Sequence, residues 1–280
     1  DRSVSRGLGD VYKRQVLGTG RGTIAFPLRK IILRAREKSP GRTVLREFSV
    51  FLFPNRKNMS ETASRLARVR AELPEGVTLV AVSKTHPAEL IREAYDAGQR
   101  LFGESRPQEL REKYELLPKD IEWHMIGHLQ TNKIKYIAPF VRMIQSVDSA
   151  RLAEAIQKEA AKCGRVIDIL LEIHVAQEET KTGWDIAELL PCVESGLFST
   201  LPNLRVRGVM GIATNTDDEE VIRRDFDELR RCFDLLRSAF GTDFDTLSMG
   251  MSHDFRLAVA CGSTMVRVGS SIFGERDYSK

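Results

Sequence analysis

Val77-Thr-Leu-Val-Ala-Val-Ser-Lys-Thr-His-Pro-Ala-Glu-Leu-Ile-Arg-Glu-Ala-Tyr-Asp-Ala-Gly98 is one strand, one turn and one helix. The apolar run 77–82 is strand-like. Pro87 suits the first turn of a helix, and Gly98 stops that helix. The turn between them carries a lone lysine, Lys84, at the C-terminal end of the strand. Such an amine has two readings. It is a solvated charge at a strand end, or it is an amine in a pocket that loses its proton and condenses with a carbonyl.

The same unit recurs along the chain. Strand-like runs follow at 100–104, 121–127, 143–147, 166–175, 205–213, 246–250 and 265–269. Helical spacing separates them at 107 onward, 130–138, 149–163, 185–196, 217–239 and 253–260, and a further amphipathic helix over 60–73 precedes the first strand. Strict alternation implies parallel strands joined by right-handed crossovers. Eight units predict an α/β fold, a single (β/α)8 TIM barrel over 59–280 with an extra N-terminal helix. A doubly wound open sheet is the alternative, but no Gly-x-Gly-x-x-Gly fingerprint follows the first strand. In a barrel, chemistry sits at the C-terminal ends of the strands, where Lys84 falls.

Charge is unevenly spread over the 280 residues. Residues 1–58 carry 14 Lys/Arg against 4 Asp/Glu, whereas the remainder is net acidic. A nucleic-acid role inferred from the overall charge of +4 would rest on the leader alone. Residues 1–58 read as a transit peptide, a disordered basic arm, or sequence that is not native coding. The last reading is favoured: 3–15 resembles translated library adapter, and Met59 is the expected start. The four cysteines form no Cys-x-x-Cys pair and read as reduced thiols in a cytoplasmic protein. No apolar stretch reaches the length of a membrane span.

A second set of residues gathers near the end of the chain. Ser252 follows strand seven, and Gly262-Ser263-Thr264 precedes strand eight. A glycine turn with hydroxyls lets backbone N–H groups approach an anion; it is also an ordinary turn before a strand. Arg267 lies inside strand eight. A buried arginine requires a partner, which a salt bridge or a cofactor ring nitrogen would supply. His124 and His128, four apart on one expected strand, share a face and read as a polar barrel-mouth pair or two metal ligands.

Several segments together resemble the pyridoxal phosphate homeostasis protein family, whose fold is alanine racemase N-terminal-like. They are Ala81-Val-Ser-Lys-Thr-His-Pro87, Phe102-Gly-Glu-Ser105, Trp123-His-Met-Ile-Gly-His-Leu-Gln-Thr-Asn-Lys133, Lys181-Thr-Gly183, Leu247-Ser-Met-Gly-Met-Ser-His-Asp254 and Gly262-Ser-Thr-Met-Val-Arg-Val-Gly-Ser-Ser-Ile-Phe-Gly274. The resemblance implies pyridoxal 5′-phosphate held on Lys84 as a Schiff base. It also implies a phosphate held by Ser252, Gly262, Ser263 and Thr264, with Arg267 facing the pyridine nitrogen. An arginine there keeps that nitrogen unprotonated and weakens the electron sink. Where the family often has asparagine after Phe-Gly-Glu, this chain has Ser105, a donor of shorter reach.

Racemases of this superfamily take a second base from a β-rich domain after the barrel. Tyr278 is the one tyrosine after Tyr136, and the chain reaches only Lys280. The expectation is therefore a binder and not an enzyme. It would be a cytoplasmic monomer that buffers pyridoxal phosphate and other B6 vitamers and delivers cofactor to apo-enzymes. It would engage neither nucleic acid nor membrane. A racemase-like enzyme is the alternative.

Overall fold

The computed structural model describes residues 29–39, 42–52, 59–178 and 180–275. Within the leader, to which the sequence assigns no regular element, β1 (Arg29–Ser39) and β2 (Arg42–Leu52) pair as an antiparallel hairpin. The stretch 3–15 and Tyr278 lie outside the described residues.

Residues from Ser60 onward form a unit of their own, a closed barrel of eight strands. The strands are β3 (Thr78–Val82), β4 (Leu101–Glu104), β5 (Glu122–Met125), β6 (Met143–Val147), β7 (Ile167–Glu172), β8 (Leu204–Met210), β9 (Thr246–Ser248) and β10 (Met265–Val268). Every adjacent pair is parallel, and β10 closes the ring on β3, with Val268 opposite Ala81. The expected (β/α)8 barrel is the observed one.

The helices are α1 (Glu61–Glu72), α2 (Ala88–Asp96), α3 (Pro107–Leu116), α4 (Ala150–Lys162), α5 (Ile186–Glu194), α6 (Glu219–Phe240), α7 (Phe255–Ala260) and α8 (Ser270–Phe273). Side-chain oxygens open four of them: Ser60, Ser149, Asp185 and Asp218 each accept from an amide of the first turn. α6 carries Glu219 and Glu220 at its start and Arg237 in its last turn, as the helix dipole favours.

Two local expectations fail. Residues 130–138 do not form an α-helix; Thr131–Tyr136 is a 3-10 turn, and Pro139 follows too soon to allow more. β5 ends at Met125, so His128 is not on the strand with His124. His128 is largely exposed and pairs with Asp148 at 3.4 Å, whereas His124 is buried inside the barrel.

Strand alternation divides the side chains into two cores. Leu79, Phe102, Trp123, Ile144, Val209 and Val266 face outward into the layer under the helices. Val80, Met143, Leu170, Met210 and Met265 fill the barrel axis. Below them Asp168, 1% exposed, accepts from Arg205 Nε at 2.7 Å and pairs with Arg142 at 3.1 Å, closing the N-terminal end with ion pairs.

The β8–β9 seam depends on a glycine. Gly208 has φ +155°, and a Cβ there would stand 1.7 Å from the carbonyl oxygen of Thr246. Gly208→Ala is expected to cost at least ~3 kcal/mol, because both the backbone conformation and the seam must yield. A urea unfolding midpoint equal to that of the parent would contradict this.

Candidate functional site

The turn after β3 presents Lys84. Ser83 N donates to Gly103 O and His86 N to Ser83 O, so the chain reverses tightly around a half-buried lysine. The His86 ring packs on Phe273 of α8 with centroids 5.4 Å apart, which ties this turn to the segment following β10.

That segment starts at Gly269. A Cβ at Gly269 would lie 3.0 Å from Val82 O, two residues before Lys84, so the backbone runs tightly against β3 there. Gly269 N donates to Ser252 Oγ at 3.0 Å, and Ser271 Oγ donates to Ser252 O at 3.4 Å. The loop after β9 and the start of α8 therefore form one corner beside the Lys84 turn. In barrels, phosphate sites occupy the loops after strands seven and eight and the start of a short extra helix, and this corner has that arrangement.

Beneath the mouth lies a buried polar chain. Arg267 is 4% exposed. Its Nη1 donates to Ser248 O at 2.9 Å and Ser248 Oγ at 2.7 Å, and its Nη2 donates to Gly211 O at 2.9 Å. Ser248 Oγ donates onward to Gln145 Oε1 at 2.7 Å, and Gln145 Nε2 lies 2.8 Å from His124 Nδ1. An amide nitrogen can only donate, so Nδ1 accepts and the His124 proton sits on Nε2. Burial holds the His124 pKa down at about 4, consistent with a neutral ring. Burial also brings Arg267 down to about 10, which leaves it charged at neutral pH.

Glu172, at the inner end of β7, was missed by sequence reasoning. It is 5% exposed, and its Oε2 is buried without a hydrogen-bond partner among the described residues. Thr182 Oγ1 donates to Oε1 at 3.3 Å. Burial, aided by the Asp148 charge, pushes its pKa up to about 7, with Thr182 and Arg267 opposing. Strand alternation was the available signal: Asp168, Leu170 and Glu172 share the inward face.

The structure brings Lys84, Ser105, Ser252 and Arg267 to the C-terminal half of the barrel. Ser105 is half-buried just past β4, against the backbone of Gly127. It does not bring Gly262, Ser263 and Thr264 there. They precede β10, so they sit at its N-terminal end: Thr264 O accepts from Thr78 N at the start of β3. Ser263 Oγ is spent on the carbonyls of Met249 and Met265, and Thr264 Oγ1 accepts from Leu247 N. A ligand cannot reach both this turn and Lys84, because β3 runs between them. Glu104, at the end of β4, meets Lys113 at 2.8 Å with both side chains buried.

The alanine racemase N-terminal domain family matches residues 58–277. This chain belongs to that family. It is 45% identical over 201 residues to the pyridoxal phosphate homeostasis protein of Aquifex aeolicus, covering 71% of this chain and 87% of the relative. The protein of the same name from Escherichia coli is 39% identical, over 79% of this chain and all of the relative. Among solved structures, PipY of Synechococcus elongatus with PLP bound superimposes with a TM-score of 0.70 at 40% identity, covering 76% of this chain and all of PipY. Among the described residues no helix is long and apolar enough to cross a membrane.

The Glu172 carboxyl gives a pH-dependent prediction. Its folded pKa, about 7, lies above the ordinary 4.5, so the folded state binds its proton more tightly. That contribution is complete below pH 4.5 and is lost as pH rises to 7. Glu172→Gln, which keeps the shape without the charge, is therefore expected to stabilise the protein at pH 8 by roughly 1–3 kcal/mol. The gain should shrink towards pH 5; thermal melts at the two pH values read it, and an equal effect at both would refute it.

Proposed function

We propose that this chain binds pyridoxal 5′-phosphate at the barrel mouth and acts in its intracellular homeostasis, holding the cofactor and handing it on. The observation that carries the reading is the shared corner of two adjacent strands. Lys84 leaves β3 beside Gly269 and Ser252, with Arg267 deeper in the barrel, opposite Val80 of β3. When bound, the cofactor supplies an aldehyde that condenses reversibly with an amine. Lys84 is the amine. Ser252 Oγ and the amides opening α8 take the phosphate end. Arg267 would present a fixed positive charge towards the ring, and Ser105, at the end of the neighbouring β4, would line the wall beside Lys84.

The residues fit this group chemically. The bare Gly269 backbone leaves the approach that a phosphate needs, and Arg267 is held rigidly by carbonyls rather than by a neutralising carboxylate. The curated relatives' names and the PipY complex support the same role. All four key residues come from one chain, so a monomer suffices for the site. Vitamers without a phosphate lose the Ser252 corner and bind more weakly, and apo-enzymes are the natural recipients.

One observation favours a second reading, a racemase-like enzyme. Glu172 has a pKa near neutrality at the mouth, which suits proton exchange. Titration with pyridoxal 5′-phosphate separates the two. The binder reading predicts a visible absorbance band that Lys84→Ala abolishes, and a dissociation constant raised about tenfold by Ser252→Ala, the cost of one charge-assisted hydrogen bond. It predicts no loss of chirality on incubation with amino acids. Racemisation that Glu172→Gln removes would establish the enzyme instead.

A further inference from the structure

Thr85, immediately after Lys84, has φ +68° and is the one non-glycine residue at positive φ among the described residues. A β-branched side chain is a poor occupant of the left-handed region, so something must hold it there. The holding contacts come from α3 and β4. Thr85 N donates to Glu109 Oε1 at 2.6 Å. Lys113 Nζ donates to Glu109 Oε1 at 2.7 Å, to Glu104 Oε1 at 2.8 Å and to Ser83 O at 2.7 Å. Ser83 Oγ also donates to Glu104 Oε1, at 2.6 Å. Residues on both sides of Lys84 are thus gripped by one ion triad, and its Lys113 and Glu104 side chains are 8% and 0% exposed.

We propose that Glu109 and Lys113 are positioning residues for Lys84, holding Thr85 in a strained conformation that fixes the direction in which the lysine leaves the backbone. The inference rests on the reading of Lys84 as the covalent anchor. A buried ion pair is a weak means of stabilising a fold compared with apolar packing. Here it holds a polar turn in one geometry. Glu109 and Lys113 are four apart on α3 and face the turn together. Without Glu109 the Thr85 amide loses its acceptor, Thr85 relaxes to negative φ, and the peptide carrying Lys84 rotates. Glycine at 85 would take the same φ without strain and would therefore depend less on the clamp.

The experiment uses the full chain and follows two readouts. The first is the rate at which Lys84 captures pyridoxal 5′-phosphate, by stopped-flow absorbance. The second is amide hydrogen exchange at Thr85 without cofactor. Glu109→Ala is expected to slow capture about tenfold, the size of the strain released, and to raise exchange at Thr85. Glu109→Gln keeps an acceptor oxygen and should stay within about threefold of the parent. Adding Thr85→Gly to Glu109→Ala should recover most of the rate, because glycine takes φ +68° unaided. Parental capture in Glu109→Ala, or no recovery in the double variant, would overturn the proposal. Should Glu109→Ala not fold, Thr85→Gly alone decides: a melting midpoint below the parent's would show no strain to relieve. If the parent shows no Lys84-dependent capture, the anchor reading is what fails, and exchange at Thr85 still reports on the clamp.

Discussion

A guanidinium inside a barrel must be satisfied by the barrel itself. Arg267 meets this requirement with the carbonyls of Ser248 and Gly211 and the hydroxyl of Ser248, and in doing so joins the ends of β8, β9 and β10. Among the described residues no carboxylate pairs directly with it, and the Asp254 and Glu172 charges nearby favour its charged form. Burial lowers its affinity for the proton only to about 10. The hydroxyl it grips must donate to Gln145, whose amide must then donate to His124. Each orientation follows from the one before, and the interior has a single hydrogen-bonding direction from arginine to histidine.

That fixed charge would favour an electron-rich or anionic group at the mouth. It also explains the tolerance of Glu172 as a buried acid. Arg267 favours its ionised form, whereas burial and Asp148 oppose it, and the balance falls near neutrality. The rim adds the Lys84 turn and the Ser252–Gly269 corner, which meet because β10 closes on β3. Ring closure therefore brings together residues that are 168 to 185 positions apart in the chain. In an open sheet these two strands would be opposite edges.

Much of this was legible in the sequence. Eight strand–helix units announce the barrel because period-2 and period-3.6 runs alternate with few exceptions, and Lys84, Ser252 and Arg267 fall where strand ends and strand parity put them. The turn expected to hold a phosphate lies at the other end of the barrel from Lys84. Gly262-Ser263-Thr264 has suitable composition, but it enters β10, whereas Gly269 leaves it; polarity along the strand decides, and composition does not show it. His128 was misplaced because β5 is only four residues long. Glu172 and Gln145 look like ordinary polar residues in apolar runs until the inward face of each strand is known. The clamp around Thr85 has no sequence signal, since it depends on a backbone angle and on residues 24 to 30 positions away. The hairpin in 29–52 was also not foreseen; the basic composition of that stretch masks its alternation.

The proposed seat of pyridoxal 5′-phosphate is the C-terminal mouth of the barrel, with Lys84 as anchor. A crystal structure with the cofactor bound tests it most directly. The expected result is electron density continuous with Lys84 Nζ, phosphate oxygens within hydrogen-bonding distance of Ser252 Oγ and the first amides of α8, and the Arg267 guanidinium facing the ring. Density joined to a different lysine, or a phosphate seated at Gly262–Thr264, would contradict it.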